Sequence, residues 1–227
     1  MTMEYRRRRV ITMFLLAGIV IVALAIYAAW QLAQSSHSPQ GNGEALAALE
    51  ALPVKGRAPK TGYARSQFGA GWATTSGCDT RNIILARDLK QAVVNGNCKV
   101  ASGQLDDPYT GKRITFQRGS GTSTAVQIDH VVALSNAWQT GAQQLSSEQR
   151  QQLANDPLEL LAVDGPANQQ KGDGDAATWL PSHKPFRCQY VARQIAVKRK
   201  YHLWVTTGEK AAMQRVLATC PGQGVPG

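Results

Sequence analysis

Acidic side chains are scarce in this 227-residue chain: 15 Asp and Glu stand against 25 Lys and Arg, a formal net charge of +10. Such a surplus calls for an anionic partner, whether nucleic acid, an acidic lipid surface or an acidic polymer. Only four cysteines occur and none stands in a Cys-x-x-Cys pair, which weakens a zinc ribbon or thioredoxin-type reading. There is no internal repeat and no low-complexity block. A composition of 43% hydrophobic and 18% charged residues, with 21 Gly and 10 Pro, excludes collagen, coiled coil and wholesale disorder. The length suits one globular domain and is too short for two large ones.

What is present begins with one long apolar run. Arg6, Arg7, Arg8 and Arg9 precede an uncharged stretch from Val10 to Ser36 that is apolar through Trp30, and about 20 such residues cross a bilayer. The four arginines hold the N-terminus in the cytoplasm and send the rest of the chain outward. The expected order is a basic cytoplasmic tail at 1–9, an anchor or signal sequence at 10–31, a flexible linker at 32–60, a domain at 61–220 and a tail at 221–227. The run is long and Ala-Trp-Gln-Leu-Ala is a poor cleavage site, which favours a single-pass membrane protein over a secreted, cleaved one. Without Glu4 and the four arginines, 21 basic and 14 acidic residues remain, so the outer part is still basic. On that side disulfides persist. Of the three possible pairings, Cys78 with Cys98 and Cys188 with Cys220 is the one expected, because each pair brackets a predicted helix; each bridge adds about 3 kcal/mol in the loop-entropy model.

Periodicity and capping residues place the elements. Glu44–Leu52 has the makings of a short helix. Asp79 is an N-cap for a helix through Val94, with Ile83, Ile84, Leu89 and Val93 along it and Asn95-Gly96 as its stop. Residues 99–104, 113–117 and 125–129 read as strands. Helices are expected at 132–144, at 146–153 with the capping box Ser146-x-x-Gln149, at 186–200, and at 206–219 with the box Thr206-x-x-Glu209. The apolar run 158–163 is a strand; Asp164 caps a short helix after it, with Pro166 in the first turn and Gly172 at the stop.

Two of these segments carry chemistry. Ile128-Asp129-His130-Val131-Val132 ends a strand with an acid and an imidazole, and Asn168-Gln169-Gln170-Lys171-Gly172-Asp173 puts an amide and a lysine on the short helix after another strand. Asp129 is a hard oxygen ligand, Asn168 offers a second oxygen, and so sparse a shell suits Mg²⁺, which keeps water and accepts phosphate oxygens. His130 is then free to act as a base.

Asp-His-Val-Val followed by Leu-Leu-Ala-Val-Asp-Gly-Pro-Ala-Asn-Gln-Gln-Lys-Gly-Asp resembles the HNH (His-Me finger, ββα-metal) endonucleases. It is most similar to exported actinobacterial members related to the C-terminal nuclease domain of modification-dependent restriction enzymes. Gly77-Cys78-Asp79-Thr80-Arg81-Asn82 and Asp107-Pro108-Tyr109-Thr110-Gly111 share that look, so the resemblance covers about Tyr63 to Cys220. It implies an α+β fold with a ββα-metal core and additional helices. It makes His130 the general base, Asp129 and Asn168 the ligands of Mg²⁺ (or Mn²⁺ or Ca²⁺), and hydrolysis of a phosphodiester the reaction. The family's middle Asn, which steadies the loop holding the His, falls here on Glu159, whose carboxylate is expected to hold the imidazole tautomer, with Asn155 as a fallback. An imidazole near its free pKa of about 6.5 further predicts activity that falls in mild acid.

No acidic residue occurs between Asp175 and Glu209, while aromatic and basic residues alternate there. Lys184, Arg187, Arg193 and Lys198, with Lys171, are the expected contacts to a nucleic-acid backbone; nothing in the stretch reads bases. The expected function is a divalent-metal-dependent endonuclease acting on DNA, with RNA as a further substrate and little sequence specificity, outside the cytoplasmic membrane. The alternatives are a catalytically inactive nucleic-acid-binding surface protein and a binder of acidic polymers. No protein partner is inferable.

Overall fold

Small apolar residues at helical spacing start the ordered chain. Glu44–Ala51 forms α1, whose Ala45, Ala48 and Leu49 are buried against the two C-terminal helices. The computed structural model describes residues 43–226, so the expected membrane segment and most of the spacer lie outside the described residues. Among the described residues no helix is long and apolar enough to cross a membrane. The expected linker boundary at residue 60 is corrected: the compact unit begins at Gly43. After α1, Lys55 N–H donates to Val205 O at 3.1 Å, Arg57 pairs with Asp175 at 2.6 Å and Lys60 with Asp173 at 2.7 Å. A basic, proline-containing segment is held here by two carboxylates far along the chain.

The elements that follow are strands β1 (Thr74–Thr75) and β2 (Cys78–Asp79), helix α2 (Thr80–Asp88), and strands β3 (Lys90–Asn95), β4 (Lys99–Asp106), β5 (Arg113–Gln117) and β6 (Val126–His130). They continue with α3 (Leu134–Gln139), α4 (Ser147–Asn155), β7 (Leu160–Asp164), α5 (Gly165–Lys171), α6 (Arg187–Lys200) and α7 (Thr207–Leu217). The architecture is mixed α+β. Asp79 caps α2 by accepting from Asn82 N–H, and both capping boxes form as their spacing predicts. The helix expected through Val94 stops at Asp88 instead. The β-branched pair Val93-Val94 joins β3, which pairs with β4 across a bulge in an antiparallel sheet ordered β3-β4-β5. The helix expected over 132–144 is likewise shorter, a single six-residue α3 followed by a turn of 3-10 helix at Ala142–Gln144.

The centre of the molecule is the antiparallel hairpin of β6 and β7, in register from Val126 opposite Asp164 to His130 opposite Leu160, with α5 directly after it. Leu160 and Ala162 pack into one hydrophobic cluster with α2 and the sheet, while Leu161 and Val163 pack into a second, largely helical cluster. With both faces covered, β7 reads as continuous apolar residues rather than an alternation. Its outer edge is closed by side chains: Arg87 donates to Leu160 O at 2.7 Å, Arg193 to the same oxygen at 3.2 Å, and Asp88 accepts from Ala162 N–H at 2.8 Å. The bridges Cys78–Cys98 and Cys188–Cys220 are those expected.

The turn from β7 into α5 depends on a residue without a side chain. A Cβ on Gly165 would lie 2.1 Å from Thr124 O, a backbone atom. Gly165→Ala is expected to lose about 1–3 kcal/mol, read as a lower urea midpoint with an unchanged slope; an unchanged midpoint would show that the junction can move aside.

Candidate active site

Strand alternation decides which β6 side chains meet α5. Gln127 and Asp129 point to one face, where Gln127 Oε1 accepts from Asn168 Nδ2 at 2.9 Å and Asp129 Oδ1 accepts from Lys171 Nζ at 2.9 Å. Lys171 also donates to His130 O at 2.8 Å, and its ammonium is fully buried. The second oxygen of Asp129 accepts from the Tyr109 hydroxyl. Burial and the neighbouring carboxylate raise the Tyr109 pKa well above its ordinary value, so the phenol stays a donor. Asp107, from the same turn, accepts from Asp164 N–H and ties the 107–111 loop to the end of β7.

His130 turns to the other side of the strand. Its Nε2 lies 2.9 Å from Ala154 O, an acceptor only, which puts the proton on Nε2 and the lone pair on Nδ1. Trp72 stacks on the ring, with centroids 5.6 Å apart and planes 6° from parallel. Asp129, His130 and Asn168 nonetheless line one cavity of about 320 Å³ at the end of β6, together with Gln127 and Arg65. The imidazole is 6% exposed, and burial, helped by the positive charges of Arg65 and Lys171, lowers its pKa to about 3. This corrects the expected value near 6.5. The ring is neutral at physiological pH, and the fall in activity expected in mild acid has no titrating imidazole behind it.

Glu159 does not reach the imidazole. Its Oε2 accepts from Val132 N–H at 3.2 Å, its backbone oxygen from Val131 N–H at 2.8 Å, and its Oε1 is buried without a partner. Burial raises its pKa well above the usual carboxylate range. Its contribution is to the loop after His130, and the tautomer is held by Ala154. Asn155, the fallback, accepts from Ala73 N–H at 2.8 Å and so fastens the segment that carries Trp72.

The basic residues expected on a phosphate backbone divide in two. Lys171 is engaged by Asp129. Lys198 is fully buried, 3.0 Å from Glu209 Oε1, and donates to Trp204 O at 3.0 Å, so no ammonium proton faces solvent. Arg187 donates to Pro181 O at 2.7 Å. Lys184 is exposed, and Arg193 lines a groove of about 640 Å³ with Arg87, Arg199 and Lys200. Charge counting along the sequence could not tell which side of α6 faces inward. Tyr109 was visible only as part of a turn motif; its contact with Asp129 spans 20 residues and leaves no local periodicity.

A family model described as GmrSD restriction endonucleases, C-terminal domain, matches residues 79–216. The chain belongs to that family. The match spans β6, β7 and α5 and points to a nuclease domain. An uncharacterized secreted protein of Arthroderma benhamiae is 41% identical over 175 residues, covering 76% of this chain and 82% of its own length. No solved structure matches. The two disulfides and the secreted relative both point to an extracellular domain.

Asp129 and Asn168 are the cavity residues whose oxygens could hold a cation of the Mg²⁺ type, with the Lys171 ammonium already 2.9 Å from one Asp129 oxygen. No cluster of three or more His, Cys, Asp and Glu capable of holding a metal occurs among the described residues. Each Asp129 oxygen accepts one hydrogen bond, one of them from the Lys171 ammonium, and keeps a further lone pair, while Asn168 donates its NH₂ to Gln127 and lines the same cavity.

Two outcomes follow from the buried groups. A folded-state pKa near 3 against about 6.5 unfolded means that the unfolded chain binds one more proton between those values. The stability difference between wild type and His130→Gln should therefore narrow on acidification through that window, by up to about 1.4 kcal/mol per pH unit; parallel urea-derived curves would show an imidazole that titrates normally. Lys198→Met leaves Glu209 buried and unpaired and is expected to destabilise by about 3–5 kcal/mol, while leaving the DNA affinity of the folded protein unchanged in a filter-binding assay.

Proposed function

We propose that this chain is a divalent-metal-dependent endonuclease that hydrolyses phosphodiester bonds of DNA, with RNA as a further substrate and little sequence preference, outside the cytoplasmic membrane. The observation that carries this reading is the convergence of Asp129, His130 and Asn168 on one cavity at the junction of two strands and a helix, within a nuclease family. Residues 10–31 would tether the domain to the membrane or be removed on secretion.

Asp129 and Asn168 would hold the cation, which when bound supplies positive charge against the phosphate and the departing oxygen. Lys171 and Tyr109 fix the carboxylate in place. His130 accepts the proton of the attacking water at Nδ1 while Ala154 retains the proton on Nε2. The low basicity leaves the imidazole unprotonated at neutral pH but also makes it a weak base, and Trp72 fixes the ring plane and keeps bulk water off one face. The 640 Å³ basic groove and Lys184 offer the backbone sites that Lys171 and Lys198 cannot, and their contacts would weaken steeply with salt.

The second reading, a protein that holds nucleic acid without cutting it, draws on one feature: both oxygens of Asp129 already accept hydrogen bonds. Plasmid nicking separates the two. Wild type is expected to cut with Mg²⁺ and not with EDTA, and His130→Gln to be slower by about 10²–10⁴-fold. Binding without metal-dependent cutting would establish the second reading, and indifference to DNA at low salt would leave only an acidic-polymer binder.

A further inference from the structure

One cation in the wall of the cavity has no part in that scheme. Arg65 opens the 3-10 turn Arg65–Phe68 and is exposed. It lines the 320 Å³ cavity with Asp129 and Asn168 and also the smaller one, of about 100 Å³, between His130 and Trp72. His130 and Leu134 are the other residues common to both walls. Arg65 therefore shares one cavity wall with Asp129 and Asn168 and both walls with His130.

The cations nearby are engaged elsewhere. Lys171 is bound to Asp129, Lys60 to Asp173, and Arg150 to Leu145 O and Gln67 O. Among the described residues no carboxylate pairs with Arg65 and no acceptor takes its N–H groups.

The turn that carries Arg65 is anchored more firmly than an exposed loop requires. Phe68 is buried and meets Tyr63 and Trp138 edge-on, with centroids 6.4 and 6.3 Å away. Arg150 Nε donates to Gln67 O at 2.9 Å. A guanidinium on a fixed turn, unpaired and facing a cavity, is organised for an oxyanion, and its planar fork fits two oxygens of one phosphate. The turn lies before residues 79–216, so the family match does not account for it.

We infer that Arg65 is a substrate-binding residue that grips the non-bridging oxygens of the phosphodiester at the site, an inference that rests on the nuclease reading above. The ligand class is a nucleic-acid phosphate, and the grip is independent of base identity.

The test uses the full chain with Arg65→Ala and Arg65→Lys. Affinity for a fluorescent DNA duplex is measured in EDTA across a salt series, and nicking of plasmid with Mg²⁺ is measured in parallel. Arg65→Ala is expected to keep the wild-type urea midpoint, to reduce the slope of log K against log salt by about 0.9, and to lower kcat/KM by about 10²-fold. Arg65→Lys should restore the slope but not the rate, since an ammonium supplies charge without the fork. A folded Arg65→Ala protein with wild-type slope and wild-type nicking overturns the inference and leaves the nuclease reading intact. Wild type that binds but never cuts overturns the nuclease reading alone, since the salt slope still reports the Arg65 contact; wild type that does not bind DNA overturns both.

Discussion

The buried contact between Asp129 and Lys171 is the interaction on which the rest of the site depends. It joins the end of β6 to the end of α5, and those two elements carry the candidate acid, base and amide. Taking an ammonium and a carboxylate out of water costs several kcal/mol per ion, recovered only when geometry and further hydrogen bonds are good. Both conditions are met: Lys171 has a second acceptor in His130 O, and Asp129 a second donor in Tyr109. Removing either partner would strand a charge in a dry interior. The pair therefore ties strand and helix together through a directional set of donors and acceptors.

A second buried pair, Lys198 with Glu209, does the corresponding work at the other end of the helical cluster. Glu209 is also the N3 member of the α7 capping box, so one carboxylate serves a helix N-terminus and a buried ammonium together. In each pair a basic residue that sequence reading assigns to solvent and phosphate belongs to the framework. The remaining positive charge is local: Arg199 lines the groove beside Arg87, paired with Asp88, and Lys200, paired with Asp156, while Arg65 lines the cavity at the end of β6.

Local signals in the sequence were read correctly where the physics is local. Asp79, Ser146, Asp164 and Thr206 cap the helices that their spacing implies, and Gly172 stops α5. The hairpin strands and the helix bearing Asn168 were legible for the same reason. Distant partners were not. Nothing near Lys90–Asn95 shows that β4 will recruit it as a strand, and nothing near Glu44–Lys60 shows that α6 and α7 offer it a surface. Within the site, the chain positions of Asp129, His130 and Asn168 were visible as motifs, whereas Tyr109, Trp72 and the Ala154 carbonyl were not, because each reaches its partner across 20 to 58 residues. Burial of the imidazole is set by that distant packing, which is why its basicity could not be read from its neighbours in sequence.

β7 separates the two hydrophobic clusters, giving Leu160 and Ala162 to one and Leu161 and Val163 to the other. A partition wall of this kind belongs to both rooms. Neither half can melt, be clipped off or be transplanted by itself without uncovering a face of the strand opposite His130, so the fold should come apart as one cooperative event. Any attempt to trim this protein to a minimal finger would have to supply a replacement surface for whichever cluster it discards.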